Sequence, residues 1–401
     1  MPISKHYGIV VDAFFPLTTS AANQIYDLSH EFVKQGFKVT IITPDDDLPE
    51  IYQDEVIDGI NVVRLKTFKI KDVGYFRRAI AEFLMPIIMT INLVRSGIRH
   101  DYFDGIIWYS PTIFFGFFIH YLKLKNRCMS YLIVRDIFPQ WAFDLELIKK
   151  GPAYLFFDLM AKYQYSIANT IGVQTSGNKI YFRKWSKKTG RILEVLPNWL
   201  GESGSTKCSL ILDSTALKGK KVFVYAGNMG IAQDIDTILE VAKVLDNDDS
   251  IGFLLIGRGS DYKRLREKAK QLNLANVLFH SEIHPSQIHD LYSQCSVGIV
   301  SLDRRHKSHN IPGKFISYLK AGLPVFAVVN EGNDLVHMIN NENVGVVSSS
   351  YNVHELSNLV VELCADLHNK QEIKNRSRSL FDREYSVVWA ADKINSRIAD
   401  S

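Results

Sequence analysis

The stretch SHNIPGKFISYLKAGLPV, residues 308–325, sets a polar loop in front of Lys314 and a short helix that Gly322 and Pro324 bring to a stop. A lysine at a helix start stands beside backbone N–H groups with no intrahelical acceptor, an arrangement that suits phosphate oxygens. The plain alternative for Lys314 is a solvated surface lysine. In YAGNMGIAQDIDTILEVAKVL, residues 225–245, an apolar strand runs into Gly227, Asn228 and Gly230, and a helix with a buried face follows. Glycines let backbone amides approach an anion closely, and the helix start beyond them favours negative charge. A tight turn with no ligand explains the same glycines. The run is not GxGxxG, and no acidic residue ends a strand about 20 residues on, so a dinucleotide cofactor fits poorly. FLLIGRGSDYKRL, residues 253–265, supplies a further strand-to-glycine turn, with Arg258 and Gly259 in it. Three strand ends on one sheet edge then bring two cations toward one place.

The first half holds different chemistry. MSYLIVRDIFPQWAFD, residues 129–144, places Arg135 and Asp136 at the end of a buried strand. A carboxylate there can take a proton from an attacking hydroxyl within hydrogen-bond reach; it can equally cap the next helix. In FFPLTTSAANQ, residues 14–24, Thr18, Thr19, Ser20 and Asn23 offer hydroxyl and amide partners to a polar acceptor, or simply a helix cap through Ser20. Asp45, Asp46 and Asp47 match a DxD metal pattern formally, but they lead into an acidic loop, LPEIYQDE, with few other ligands. They read as a solvated turn, and no metal site is assigned.

These residues need a frame to hold them. GIVVDAFF, VTIIT, INVVRL, GIIWYS, MSYLIV, TIGVQT and ILEVLP alternate with helical patterns up to residue 200. KVFVYAG, IGFLLIG, NVLFHS, VGIVSL, PVFAVV and VGVVSS do so after it. Strands this uniformly apolar belong to parallel sheets covered by helices on both faces, so two α/β doubly wound domains are expected. GESGSTKCSLILDSTALKGKK, residues 201–221, reads as the linker between them. Ligands of open α/β sheets sit beyond the carboxyl ends of the strands, which places the expected reaction in a cleft between the domains.

Composition limits the rest. The 401 residues are 46% hydrophobic and 22% charged, ordinary for globular protein. The net charge of +4 is uneven: residues 1–200 carry 24 Lys+Arg against 19 Asp+Glu, and the remainder 23 against 24. Basic residues around 77–127 are interspersed with apolar segments rather than with stacking aromatics, which argues against nucleic acid. Four scattered cysteines, Cys128, Cys208, Cys295 and Cys364, make neither a disulfide framework nor a zinc site and fit a reducing cytoplasm. No export signal is visible at the N-terminus. AIAEFLMPIIMTINLV, residues 79–94, is interrupted and shorter than the roughly 20 residues a spanning helix needs. With Arg77, Arg78, Arg95 and Arg99 at its flanks it reads either as an interfacial helix on anionic headgroups or as a buried sheet cover.

Taken as an ordered set, the first-strand FFP, DIFPQWAFDL, VLPNWL, YAGNMGIAQD, LLIGRG, NVLFHSEI, LYSQCSVGIVSL and HNIPGKFISYLKAGLPV resemble the family 4 glycosyltransferases across essentially the whole chain. Within that family the chain looks most like the WbuB-type L-fucosamine (N-acetyl-L-fucosamine) transferases of O-antigen and capsule assembly. The resemblance implies a GT-B fold, with an acceptor domain over residues 1–200 plus 384–401 and a nucleotide-sugar donor domain over 218–383. WAADKINSRIAD, residues 389–400, would be a C-terminal helix returning to the first domain. It implies that Gly227, Asn228, Gly230 and Lys314 hold the donor phosphates and that Glu282 and Ile283 hold the base through their backbone. His309 and Ser317 stand at the two glutamate positions of the family's E-x7-E motif, so both glutamates are missing. Asn228 and Gln233 replace a cationic pair common in relatives, leaving Arg258 and Lys307 as the substitute cations.

The donor set expected from sequence is thus Gly227, Asn228, Gly230, Arg258, Gly259, Glu282, Ile283, Lys307, His309, Asn310, Pro312, Gly313, Lys314 and Ser317. The acceptor set is Thr18, Thr19, Ser20, Asn23 and Arg135, with Asp136 and Lys314 as the catalytic pair. The expected function is metal-independent transfer of an N-acetylated deoxyhexosamine from a UDP-sugar to a polyprenyl-diphosphate-linked saccharide, by a cytoplasmic protein peripherally bound to the inner membrane. A GT-B nucleotide-sugar epimerase and a non-catalytic nucleotide-sugar-binding protein are the alternatives.

Overall fold

A computed structural model of the chain describes residues 4–17, 19–70, 74–110, 112–144, 146–202, 204–305 and 311–398. Thr18, Lys307, His309 and Asn310 from the expected site lie outside the described residues. The chain divides into two units, Met1–Gly201 with Val387–Ser401, and Glu202–Ser386.

The first unit runs β1 (His6–Val10), α1 (Ser20–Lys34), β2 (Lys38–Asp45), β3 (Tyr52–Ile57), β4 (Ile60–Lys66), α2 (Tyr75–Arg95) and β5 (Gly105–Ser110). It continues with α3 (Gly116–Asn126), β6 (Met129–Val134), α4 (Gln140–Asp144), α5 (Pro152–Ile167), β7 (Thr170–Val173) and β8 (Ile192–Val195). Its sheet order is β3-β4-β2-β1-β5-β6-β7-β8. The runs GIIWYS and MSYLIV are buried strands as expected and pair in register from Gly105 against Met129 to Ser110 against Val134. One edge departs from expectation: YQDEVI, read as part of an acidic loop, is an antiparallel strand on β4. Its half-exposed alternation suits an edge, and Glu55 pairs with Arg64 of β4 at 2.7 Å. The sheet is therefore mixed. Asp45 accepts the N–H of Asp47 at 3.0 Å, closing the turn that the aspartate triplet was expected to make.

The second unit runs β9 (Lys221–Asn228), α6 (Ile235–Val244), β10 (Ile251–Arg258), α7 (Tyr262–Gln271), β11 (Val277–Ser281), α8 (Ile288–Ser293) and β12 (Val297–Ser301). It ends with α9 (Gly313–Ala321), β13 (Val325–Val328), α10 (Asp334–Glu342), β14 (Gly345–Ser348), α11 (Val353–Asp366) and α12 (Lys370–Glu384). All pairs in its six-stranded sheet, ordered β11-β10-β9-β12-β13-β14, are parallel. The stretch 201–221, expected as a linker, belongs to this unit from Glu202 onward: Cys208 N–H bonds to Asp290 at 2.8 Å and Leu212 N–H to Gln294 at 2.9 Å.

The chain then re-enters the first unit as α13 (Val387–Ile398). Val387, Ala390, Ala391, Ile394 and Ile398 sit in the same core as Ile9, Phe32 and Ile133. Polar contacts fix the register of α13, with Tyr7 donating to Asn395 at 2.5 Å and Arg397 paired with Glu194 at 2.9 Å. No described helix is long and apolar enough to cross a membrane.

Candidate functional site

In the second unit the carboxyl ends of β9 and β10 are paired through Gly227 and Gly257, at φ of 145° and 144°. A Cβ on Gly257 would stand 1.9 Å from the Gly227 carbonyl oxygen, so only glycine lets the two strands approach this closely. The loops beyond are laced together: Met229 N–H donates to the Arg258 carbonyl at 2.7 Å, and Asp261 N–H to the Met229 carbonyl at 3.1 Å. Gly259 serves this lacing, since a side chain there would strike the Met229 carbonyl at 2.2 Å. Gln233 takes a role the sequence reading did not give it. Its side-chain oxygen accepts from the Asn228 side chain at 3.2 Å and from Gly230 N–H at 3.1 Å, holding the glycine loop open as a rim.

Against this rim stands Lys314, second residue of α9, whose Pro312 cap and exposed Gly313 head the helix. A Cβ on Gly227 would lie 3.2 Å from Lys314 Nζ, so the ammonium sits directly at the glycine turn. It rests 4.6 Å over the ring of Tyr225, a cation–π contact. No carboxylate pairs with it among the described residues, and burial alone lowers its pKa to about 8. A partly desolvated ammonium with a ring and no counter-ion is a charge prepared for an anion. Tyr225 itself is fixed by a 2.5 Å bond from its hydroxyl to the Asn228 carbonyl. The expectation missed Tyr225 as a partner, although its place two residues before Gly227 on a central strand marks it.

The remaining donor expectations separate. Arg258 and Glu282 pair weakly through Arg258 Nε at 3.3 Å, both well exposed. Ile283 buries its side chain. Ser317 turns back on its own helix, donating to the Gly313 carbonyl at 3.2 Å.

The first unit corrects one expectation. Arg135 was expected to face the acceptor, but it is 7% exposed and its guanidinium points inward. It donates to the carbonyls of Leu196 at 2.6 Å and Pro197 at 3.2 Å, and it lies 5.0 Å over Trp199 and 5.7 Å over Tyr109. It is a strut between the ends of β6 and β8. Asp136, next in sequence, caps nothing: the first N–H groups of α4 turn to Ile137 and Pro139, and the carboxylate stays accessible. Partial desolvation raises its pKa, with Arg135 opposing, which keeps it a usable base. Thr19, not Ser20, caps α1, accepting Ala22 N–H at 3.2 Å, and leaves Ser20 and Asn23 exposed on the first turn. The edge also carries groups the sequence reading did not single out. Ser110 Oγ at the end of β5, Thr175 Oγ1 past β7 and Asn198 Oδ1 past β8 are buried with no hydrogen-bond partner among the described residues. β5 and β7 flank β6, and β8 lies one strand further on, so unsatisfied polar atoms end the strands on either side of the one that Asp136 follows. Such atoms are costly unless a ligand or water completes them.

Residues 211–380 match the family model described as "Glycosyl transferases group 1". The protein named "Probable glycosyltransferase WbjE" of Pseudomonas aeruginosa is 23% identical over 269 residues, covering 66% of each chain, so the match spans slightly less than two thirds of that relative. Among solved structures, WaaG, a glycosyltransferase involved in lipopolysaccharide biosynthesis, superposes with TM-score 0.61 over 98% of this chain and all of that one, at 12% identity. Anabaena Alr3699/HepE, solved in complex with UDP, gives 0.67 over 99% and 100%, at 11% identity. The fold is GT-B, and the match to the group 1 glycosyltransferases lies in the second unit.

Proposed function

We propose that this glycosyltransferase moves an N-acetylated deoxyhexosamine from a UDP-sugar to a saccharide carried on a polyprenyl diphosphate, at the cytoplasmic face of a bacterial membrane. The half-buried ammonium of Lys314, without a carboxylate partner among the described residues, at the Gly227 turn carries the reading. The UDP complex of HepE and the lipopolysaccharide setting of WaaG support a nucleotide-sugar donor and a surface-polysaccharide product.

In this mechanism the donor diphosphate lies along the rim of Gly227, Asn228 and Gly230, with Lys314 and the first N–H groups of α9 at its oxygens. The bond from C1 of the sugar to the β-phosphate oxygen breaks and UDP leaves with the electron pair. Lys314 and the helix amides neutralise that developing charge, with no divalent metal called upon. The hydroxyl oxygen of the acceptor bonds to C1, and its proton passes either to the departing phosphate or to Asp136. Ser110, Thr175 and Asn198, with Ser20 and Asn23, offer the first unit's polar contacts to the acceptor. Lys307, His309 and Asn310 remain proposed donor contacts on sequence grounds, as does Thr18 for the acceptor.

The test is UDP release from UDP-N-acetyl-L-fucosamine, with and without lipid-diphosphate N-acetylglucosamine, in EDTA, followed by mass analysis of the lipid. Acceptor-dependent release with the matching gain in mass is expected. Release without acceptor would favour the epimerase, and UDP binding with no turnover the non-catalytic binder.

A further inference from the structure

The sheet of the first unit has two unlike covers. On one side α1 and α13 close a core with apolar residues turned inward. On the other, α2, α3 and α5 bury one face each and leave a second apolar face outward. Helix α2 buries Ala81, Met85, Met89 and Leu93, yet Ile80, Ile87, Ile91 and Val94 are 42–55% exposed on its opposite stripe. Helix α5 exposes Leu155 at 65% and Leu159 at 61%. Rings join the two: Phe83 of α2 lies 5.7 Å from Phe156 of α5, with Phe114 within 6.3 Å of both. A stripe of large apolar side chains on both sides of one helix has no use in a water-facing cover.

The carboxyl end of α5 holds a second element. Phe182 packs on Tyr165 at 4.9 Å, Trp185 Nε1 donates to the Tyr165 carbonyl at 2.6 Å, and Arg191 donates to the Ser166 carbonyl at 3.0 Å. These contacts pin residues 179–191, KIYFRKWSKKTGR, against the apolar helix. The segment carries six cations and no carboxylate. Arg183, Lys184, Lys187 and Lys188 are exposed and make no ion pair among the described residues, and Ile180 and Tyr181 stand beside them at 56% and 51% exposure.

We infer that this cover of the first unit, the outward stripes of α2 and α5 together with the cationic segment 179–191, is a docking face for an anionic lipid bilayer. The apolar side chains would enter the headgroup boundary and the four free cations would meet lipid phosphates. A protein partner would need carboxylates for all four cations and an apolar groove for convex helices. A bilayer supplies both demands with one chemistry. The inference deepens the lipid-borne acceptor proposed above by stating which face meets the lipid.

The experiment is flotation of the full chain with phosphatidylglycerol/phosphatidylcholine vesicles and with phosphatidylcholine vesicles alone, at low and high salt. The chain should float with the anionic vesicles at low salt and not with the neutral ones. Arg183→Glu/Lys184→Glu/Lys187→Glu/Lys188→Glu should cut the bound fraction more than tenfold, and Leu155→Ser/Leu159→Ser severalfold, with UDP binding unchanged in both as evidence of an intact fold. The inference is overturned if the chain stays at the bottom with anionic vesicles, if the charge-reversed variant floats like its parent, or if RNA displaces it from vesicles and binds more tightly. Transfer to a water-soluble acceptor by a chain that does not float would remove the docking face and leave the transferase standing. Flotation without UDP binding would do the reverse.

Discussion

Buried Arg135 and half-buried Lys314 are cations at the carboxyl ends of parallel strands, one in each unit, and their surroundings differ. Arg135 has two backbone carbonyls and two aromatic faces. Lys314 has one aromatic face and no anion or carbonyl among the described residues. Two of the three guanidinium nitrogens of Arg135 meet carbonyls, Nε alone being buried without a partner, and so it holds the fold, whereas the ammonium of Lys314 meets none and is held ready for something absent. The accompanying carboxylate, Asp136, stays accessible beside the carbonyl-bound arginine, so the structural and chemical roles of the RD pair separate between adjacent residues.

The largest effect should come from Arg135→Ala. Two buried carbonyls lose their donor and Trp199 its stacking partner, a loss of about 3 kcal/mol in urea unfolding. If stability held while acceptor affinity fell, the division between the two cations would be wrong. Lys314→Ala should act the opposite way, lowering UDP affinity by about a hundredfold in calorimetry, in line with losing a charge-assisted contact. It should leave the melting temperature equal or higher, because an unpaired, partly desolvated charge is removed. Gly227→Ala sharpens the same point: at φ 145° and 3.2 Å from Nζ, the methyl should shift the ammonium and weaken UDP binding about tenfold.

The smallest effect is pH dependence. With its pKa lowered to about 8, Lys314 loses its proton as pH rises from 7 to 9, and UDP affinity should fall by up to about tenfold if the ammonium form is the one that binds. Stability without ligand runs the other way. Between about 8 and the ordinary lysine value the unfolded chain binds more protons than the folded one, so this group's contribution to stability rises with pH there. Lys314→Met should flatten both curves, and curves that persist would assign the titration elsewhere.

The sequence showed the strands of both sheets because their uniform apolar runs have no other use, and it showed the glycine turns and Lys314 because their spacing is local. What it could not show depends on contacts between distant segments. Whether Lys314 is paired is settled by Tyr225, some ninety residues earlier, and whether Arg135 faces a ligand is settled by the carbonyls of Leu196 and Pro197. Edge strand β3 was hidden by its polar composition, since an edge exposed on both sides needs no apolar run. The cations of residues 179–191 are plain in the sequence, but their meaning came from the exposed helix against which they are pinned.

Helix α13 has a consequence for how the molecule is made. The ribosome delivers residues 1–201 first, yet the core they form has positions that only Val387, Ala390, Ala391, Ile394 and Ile398 fill. The first unit therefore waits, with an apolar seam open to chaperones, while the whole second unit is synthesised and folds. A release that comes a dozen residues early would leave the second half intact and strand the first.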